Sequence, residues 1–352
     1  MGILKEKFID GYDYKDIDIF ILSNSNGMVA KITNFGGIVI SLIVPDRNGK
    51  YEDVVLGYDR LEDYFENRFY FGGIIGRHAN RIENSKLEIK DIEYNLKNNE
   101  GRHHLHGGDK GFHKVIWDAE TVIINNRECL QLTYLSRDGE ENYPGNLKTT
   151  VTYSLGDDNS LRIDYFAVSD KDTVINLTNH SYFNLSWHGA GDITNHQLKI
   201  YSDKFTPINE EGIPTGEILE VTGTQLDFTS MKPVGTGLLS DDIHIKKGNG
   251  FDHNWVLKVS GTHPEKAAEL YDPESGRFME VYTTKPGIQF FSGNNLSSDK
   301  EAKDKIRYSK WGGLCLETQY FPNSLKHKHF PSPIFSAGKE YRHTTIYRFM
   351  TR

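Results

Sequence analysis

Short runs of alternating apolar and polar residues, broken by turn residues, recur along almost the whole chain. In LRIDY at 161 to 165, Leu161, Ile163 and Tyr165 fall on one side of an extended segment and Arg162 and Asp164 on the other. TVTYSL at 150 to 155 alternates likewise, and GDDN at 156 to 159 is a turn, so the two segments predict a hairpin over one apolar face. PDRNGK at 45 to 50 supplies an Asn-Gly turn for a second hairpin, and AAELYDPESGRFMEVYTT at 267 to 284 folds over Asp272 to Gly276. Helical periodicity is scarce, and GYDRLEDYFEN at 57 to 67 has room only for a short helix. With 33 glycines and 12% aromatic residues, the pattern predicts an all-β fold, a large antiparallel sandwich or barrel of many strands joined by tight turns.

No compositional break, low-complexity tract or repeat divides the 352 residues, so a single domain over 1–352 is expected. The formal charge of −8, with no Lys/Arg cluster beyond pairs such as Lys246 and Lys247, gives no footprint for a polyanion, and nucleic acid is not an expected partner. The longest apolar run, GGIVISLIVP at 36 to 45, falls far short of the roughly 20 residues of a membrane helix. At the N-terminus, MGILKEKFIDGYDYKD carries charges where a signal peptide has its apolar core, and Glu6 stands where a myristoylation motif has Ser or Thr. A soluble, cytoplasmic protein is expected. Sequons at Asn176, Asn179, Asn184 and Asn295 are then chance matches. Cys129 and Cys315 suggest neither a disulfide framework nor a metal site and read as small apolar fillers.

Ready-made catalytic motifs are absent. GGIIGR at 72 to 77 fits neither a dinucleotide fingerprint nor a P-loop, and no helix pattern follows it. Without a GxSxG motif, Ser181 has little claim to be a nucleophile. Polar residues in apolar or glycine-rich stretches stand out instead: Asn80 and Arg81 in GRHANRI, His104 and His106 in HHLHGG, His180 in NHSYFNL, Asp252 in FDHNW, Gln289 in PGIQFFSGN and Glu317 in LCLETQ. A carboxylate or guanidinium buried on such a strand must be paired or neutralised. Taken singly, each has a structural explanation. Together, one acid, one base, one guanidinium and several amides from distant strands make a sugar pocket.

GRHANRI, HLHGG, NHSYFNL, FDHNW, PGIQFFSGN and ETQYFPN, in this order, resemble the motif set of the aldose 1-epimerases, the galactose mutarotases. The resemblance runs from NFGG at 34 to 37 through FPSP at 330 to 333. It implies a large β-sandwich of the galactose mutarotase type, no cofactor, and interconversion of the α and β anomers of free sugars such as galactose and glucose by a monomer or homodimer. Motif by motif, His180 resembles the general acid and Glu317 the general base, while Asn80, Arg81, His106, Asp252 and Gln289 resemble the shell that holds substrate. Tyr182, two residues from His180, shares its strand face and braces either the imidazole or the sugar. His103 stands where the family often has Asn, and KHKHFPSP at 326 to 333 replaces an HPNFPSP-like run, departures that bear on sugar preference more than on the reaction.

Mutarotation takes a proton from the C1 hydroxyl and gives one to the ring oxygen. Glu, with a reference pKa of about 4.3, is ionised and ready to accept at neutral pH; His, at about 6.5, can give and retake a proton. The expectation is that Arg81 keeps Glu317 charged, that Asp252 anchors a sugar hydroxyl, and that Trp255 or Phe290 stacks on the sugar. Three alternatives have support in the residues. A metal-dependent, cupin-like barrel would use His104 and His106 on one strand face with His180 and Glu317. A glycosidase would pair Asp252 with Glu317. A non-catalytic sugar-binding protein would keep the pocket alone, although both the acid and the base are present.

Overall fold

Strands Leu147–Leu155 and Ser160–Ser169 pair antiparallel with Leu155 opposite Leu161, closed by the 156–159 turn, in a computed structural model that describes residues 2–12, 15–297 and 299–352. Leu161, Ile163 and Tyr165 are buried while Arg162 and Asp164 are partly exposed, as period-two alternation requires. Val39–Pro45 and Tyr51–Asp53 close over the Asn-Gly turn, where Asp46 Oδ1 accepts the Asn48 and Lys50 amides and Gly49 takes a φ of 81° that strains other residues. Glu265–Tyr271 and Arg277–Thr283 form the third hairpin. Within 57–67 only the helix Leu61–Glu66 forms, burying Leu61 and Tyr64.

Three sheets carry the architecture. Residues 2–53 make a five-stranded meander. A nine-stranded antiparallel sheet places the last strand, Tyr341–Thr351, in its middle, between Ser160–Ser169 and Arg277–Thr283. A second five-stranded sheet contains Lys204–Thr206, Asp252–Val256, Gly287–Phe291 and Cys315–Gln319 in that order. One apolar cluster runs through all three: Phe20, Ala30 and Leu42 from the meander, Leu132, Val151, Ile163, Met279 and Tyr347 from the large sheet, and Trp255, Ile288, Phe290 and Leu316 from the second five-stranded sheet. Layers of antiparallel sheet packed on a shared apolar core are a β-sandwich, the expected class.

The second five-stranded sheet decides where chemistry is placed. Its register sets Asn254 opposite Gln289 and Gln289 opposite Glu317, with Asp252 opposite Phe291 and Phe291 opposite Cys315. Alternation sends Trp255, Phe290 and Leu316 to the core face, so Asp252, Gln289, Cys315 and Glu317 share the other. The expectation that Trp255 or Phe290 stacks on a sugar is thereby corrected: both are fully buried in the core cluster. Among the described residues no helix is long and apolar enough to cross a membrane.

Candidate active site

A cleft of about 340 Å³ opens over the polar face of that sheet, at the small end of the roughly 300–1,000 Å³ typical of ligand pockets. Seven of the eight residues to which the resemblance gives site roles line it: Asn80, Arg81, His106, His180, Tyr182, Asp252 and Glu317. The eighth, Gln289, lies behind it and donates its side-chain amide to Asp252 Oδ1 at 2.6 Å.

Local backbone bonds place each of these side chains. Asn80 takes a left-handed φ of 64°, tolerable for Asn because its Oδ1 accepts the Arg81 amide at 2.8 Å. Arg81 and Leu105 are paired across a two-residue bridge, which delivers His106 beside Asn80. His180 follows Thr178–Asn179 and is bracketed by its own amide donating to the Gly73 carbonyl and the Gly72 amide donating to its carbonyl, both at 3.0 Å. Asn179 Oδ1 accepts the Ser181 amide and hydroxyl, so the polar residues flanking His180 brace its strand. Ser181 is spent on this bracing.

His180 Nε2 lies 3.6 Å from Glu317 Oε1, and both side chains are almost wholly closed to solvent. Tyr182 and Tyr70 stack on the imidazole at centroid distances of 5.1 and 5.7 Å, and the His106 ring meets it edge-on at 5.1 Å. Burial pulls His180 down to about 4. Glu317 moves the other way: burial first, then the neighbouring Asp252 charge, pushes it well above the usual carboxylate range, and Arg81 only partly opposes this. The pairing of Arg81 bears against the expectation that it keeps Glu317 charged, since it is committed to other carboxylates. Arg81 is already engaged, with Glu100 at 2.8 and 2.9 Å and with Asp252 at 3.3 Å, whereas Glu317 Oε2 has no hydrogen-bond partner.

Glu100 and Tyr70 are among the lining residues that escaped the sequence reading. Glu100 sits in the turn-like NNEG, where no apolar neighbours mark it out, and its role follows only from its contact with Arg81. Tyr70 takes a φ of 60°, an outlier for a bulky residue, and its ring contacts His106, His113 and His180. Phe69, Tyr70 and Phe291 supply the aromatic lining expected of Trp255 or Phe290. His103 and the 326–333 segment lie outside the lining residues, where His103 Nδ1 accepts the Asn84 amide and His329 contacts the Gly216 carbonyl.

The cupin-like ligand set does not assemble. His106 leaves the extended conformation at φ 51°, and His104 turns into the core to Tyr143 and the Lys97 carbonyl. Ring nitrogens of His106 and His180 and a Glu317 oxygen do gather within 4.8 Å. His106 Nδ1, however, accepts the Asn80 amide at 3.2 Å, so the neutral ring carries its proton on Nε2 and neither nitrogen has a free lone pair for a metal. Such a ring is set up to donate a hydrogen bond. Asp252, with Oδ1 on Gln289 and Oδ2 on Arg81, is held as a fixed acceptor and is poorly placed to act as one of a freely acting glycosidase pair.

The family model for aldose 1-epimerase matches residues 18–348. The galactose mutarotase of Bos taurus is 43% identical over 325 residues, covering 92% of each chain, and the aldose 1-epimerase of Escherichia coli (strain K12) is 36% identical, covering 97% of this chain and 96% of its own. Among solved structures, the galactose 1-epimerase from Lactobacillus acidophilus NCFM superposes with a TM-score of 0.87 at 29% identity over 99% of both chains. A cleft that gathers an imidazole, a carboxyl group and fixed polar side chains, in a chain matched along nearly its full length, has one consistent reading: the chain belongs to the aldose 1-epimerase family, isomerases that interconvert the anomers of a monosaccharide.

Proposed function

We propose that His180 and Glu317 carry the two proton transfers of the epimerase reaction, and that the substrate is a free aldohexose, galactose or glucose. Glu317 as carboxylate takes the proton of the C1 hydroxyl while His180 as imidazolium gives one to the ring oxygen, and the bond from C1 to that oxygen breaks. The open-chain aldehyde turns about its C1 to C2 bond and closes on the other face with the proton roles reversed. No covalent intermediate with the protein is formed. Each positioned acid or base of this kind is worth about 10² to 10⁴ in rate.

The opposed shifts of the pair bear on its starting state. Burial disfavours the charged form of both groups, pulling His180 down and pushing Glu317 up, and so favours the state with the proton on the carboxyl and a neutral imidazole. Moving that proton from Glu317 to His180 gives the reactive carboxylate and imidazolium without changing the proton count. Around this pair, Asp252 accepts from one sugar hydroxyl, Arg81, Asn80 and the Nε2–H of His106 donate to others, and Gln289 fixes Asp252. Phe69, Tyr70 and Phe291 offer apolar faces to the pyranose. The names of the mammalian relatives, galactose mutarotases, support galactose.

The observation that carries the reading is the 3.6 Å separation of His180 Nε2 and Glu317 Oε1 inside a cleft of this size. Polarimetry on freshly dissolved α-D-galactose and α-D-glucose, with Glu317→Gln and His180→Asn beside the wild type, tests it. Near-normal rates in either folded variant would remove that residue from the mechanism.

A further inference from the structure

We infer that Cys315 is a positioning residue for the epimerase reaction: its sulfur accepts from His180 Nδ1–H and so leaves Nε2 as the nitrogen that takes and gives the transferable proton. This rests on the reading of His180 as the proton-transfer group.

Cys315 opens the strand Cys315–Gln319, and Glu317 lies two residues on, on the same face. One strand therefore meets both nitrogens of one imidazole: Cys315 Sγ is 3.5 Å from Nδ1, and Glu317 Oε1 is 3.6 Å from Nε2. The ring is stacked on Tyr182 and Tyr70, so rotation out of this line would break both stacks. Cys315 is fully buried and free, and burial with the neighbouring Glu317 and Asp252 charges pushes its thiol well above the ordinary range. It stays an S–H group at any pH where the enzyme works. The filler reading of Cys315 is thus incomplete, because the side chain ends on a ring nitrogen.

A thiol suits this position for a physical reason. With the protonated Glu317 facing Nε2, the neutral ring keeps Nε2 as a bare lone pair and carries its hydrogen on Nδ1, which donates to the sulfur. When Nε2 gains the proton of Glu317, the hydrogen on Nδ1 stays directed at the sulfur, a weak acceptor that neither holds nor expels it. A carboxylate at the same place would bind the cation strongly and hold the proton on His180. Sulfur supports both states with little preference, which a group that gives and retakes one proton requires.

The test compares Cys315→Ala, Cys315→Val and Cys315→Ser by polarimetry and by the ¹⁵N spectrum of His180, which reports which ring nitrogen bears hydrogen. Thermal unfolding checks that each variant is folded. Cys315→Ala and Cys315→Val are expected to lower kcat about ten- to hundredfold, the usual loss when a partner behind a functional histidine is removed, with KM nearly unchanged and a mixed tautomer population. Cys315→Ser, which keeps a donor and acceptor, recovers most of the rate and the Nδ1–H form. Wild-type kcat and an unchanged ¹⁵N pattern in the Ala and Val variants would overturn the inference, as would a wild-type spectrum with the neutral ring's hydrogen on Nε2. His180→Asn in the same assay separates the two readings. If it retains the rate, the acid assignment falls, whereas a low rate there beside unaffected Cys315 variants removes only the role of the thiol.

Discussion

Arg81 and Glu100 make a two-point contact at the cleft, Nε to Oε2 at 2.8 Å and Nη2 to Oε1 at 2.9 Å, and the same guanidinium reaches Asp252 at 3.3 Å. Glu100 thus fixes the plane of the guanidinium that we propose donates to the sugar. Arg81→Lys cannot reproduce this fork. It is expected to raise KM at least about tenfold, with Glu100→Gln showing a smaller rise in KM and a near-normal kcat. Initial rates over a range of sugar concentrations decide it; an unchanged KM in both variants would show that the fork does not hold substrate.

Glu317→Gln and His180→Asn are each expected to reduce kcat by more than about a hundredfold. Because the two groups pass protons through one substrate, the double variant should lose little beyond the worse single variant. Fully multiplicative losses would mean that they act independently.

The same pair predicts a bell-shaped pH profile. Between the lowered His180, at about 4, and the raised Glu317, the pair holds one proton in total. Activity falls on the acid side as a second proton enters and on the alkaline side as the last one leaves. Activity unchanged across both limbs would remove the shared-proton scheme.

Stability should fall in mild acid. Burial holds His104, His180, His196 and His253 at about 4 and His78 and His113 at about 3, below the ordinary value of about 6.5 for an unfolded chain. Their folded pKa values are depressed, so as pH drops from about 6.5 towards 4 the unfolded state takes up protons that the folded state refuses. Each such proton costs about 1.4 kcal/mol per pH unit, and Glu317, shifted upward, offsets one of them. Urea midpoints at pH 7 and pH 5 measure the effect. Equal midpoints would show that these imidazoles are not neutral in the fold.

Arg77 is buried with its guanidinium on the Pro144 and Gly145 carbonyls at 2.9 and 3.0 Å and on Ser136 Oγ at 2.6 Å. Arg77→Leu strands these acceptors without water and is expected to cost about 3 kcal/mol in chemical denaturation. A loss below about 0.5 kcal/mol, the scale of surface substitutions, would mean that the carbonyls find other partners.

Extended treatment with a chelator should leave kcat unchanged, because the Asn80 amide occupies His106 Nδ1 and sets the proton on Nε2. Lost activity restored by one equivalent of metal would break that tautomer assignment.

Several elements could be read directly from residue order. The 150–165 and 267–284 hairpins formed where alternation and turn residues put them, because a two-residue period and a local turn need only neighbouring residues. The motif residues were legible because a His, Asp or Glu inside an apolar strand is costly enough to mark itself. Alternation also placed Cys315 with Glu317 and apart from Leu316, but it could not say which face would meet the cleft. Only the stacking of the sheets sent Trp255 and Phe290 inward and left Phe291 at the pocket. Charge pairing was likewise decided in three dimensions. Sequence reasoning paired Arg81 with Glu317, whereas the fold pairs it with Glu100 and Asp252 and leaves Glu317 to burial. Local periodicity and turn chemistry travel with the chain, whereas partnership and desolvation depend on distances between segments that the order of residues does not contain.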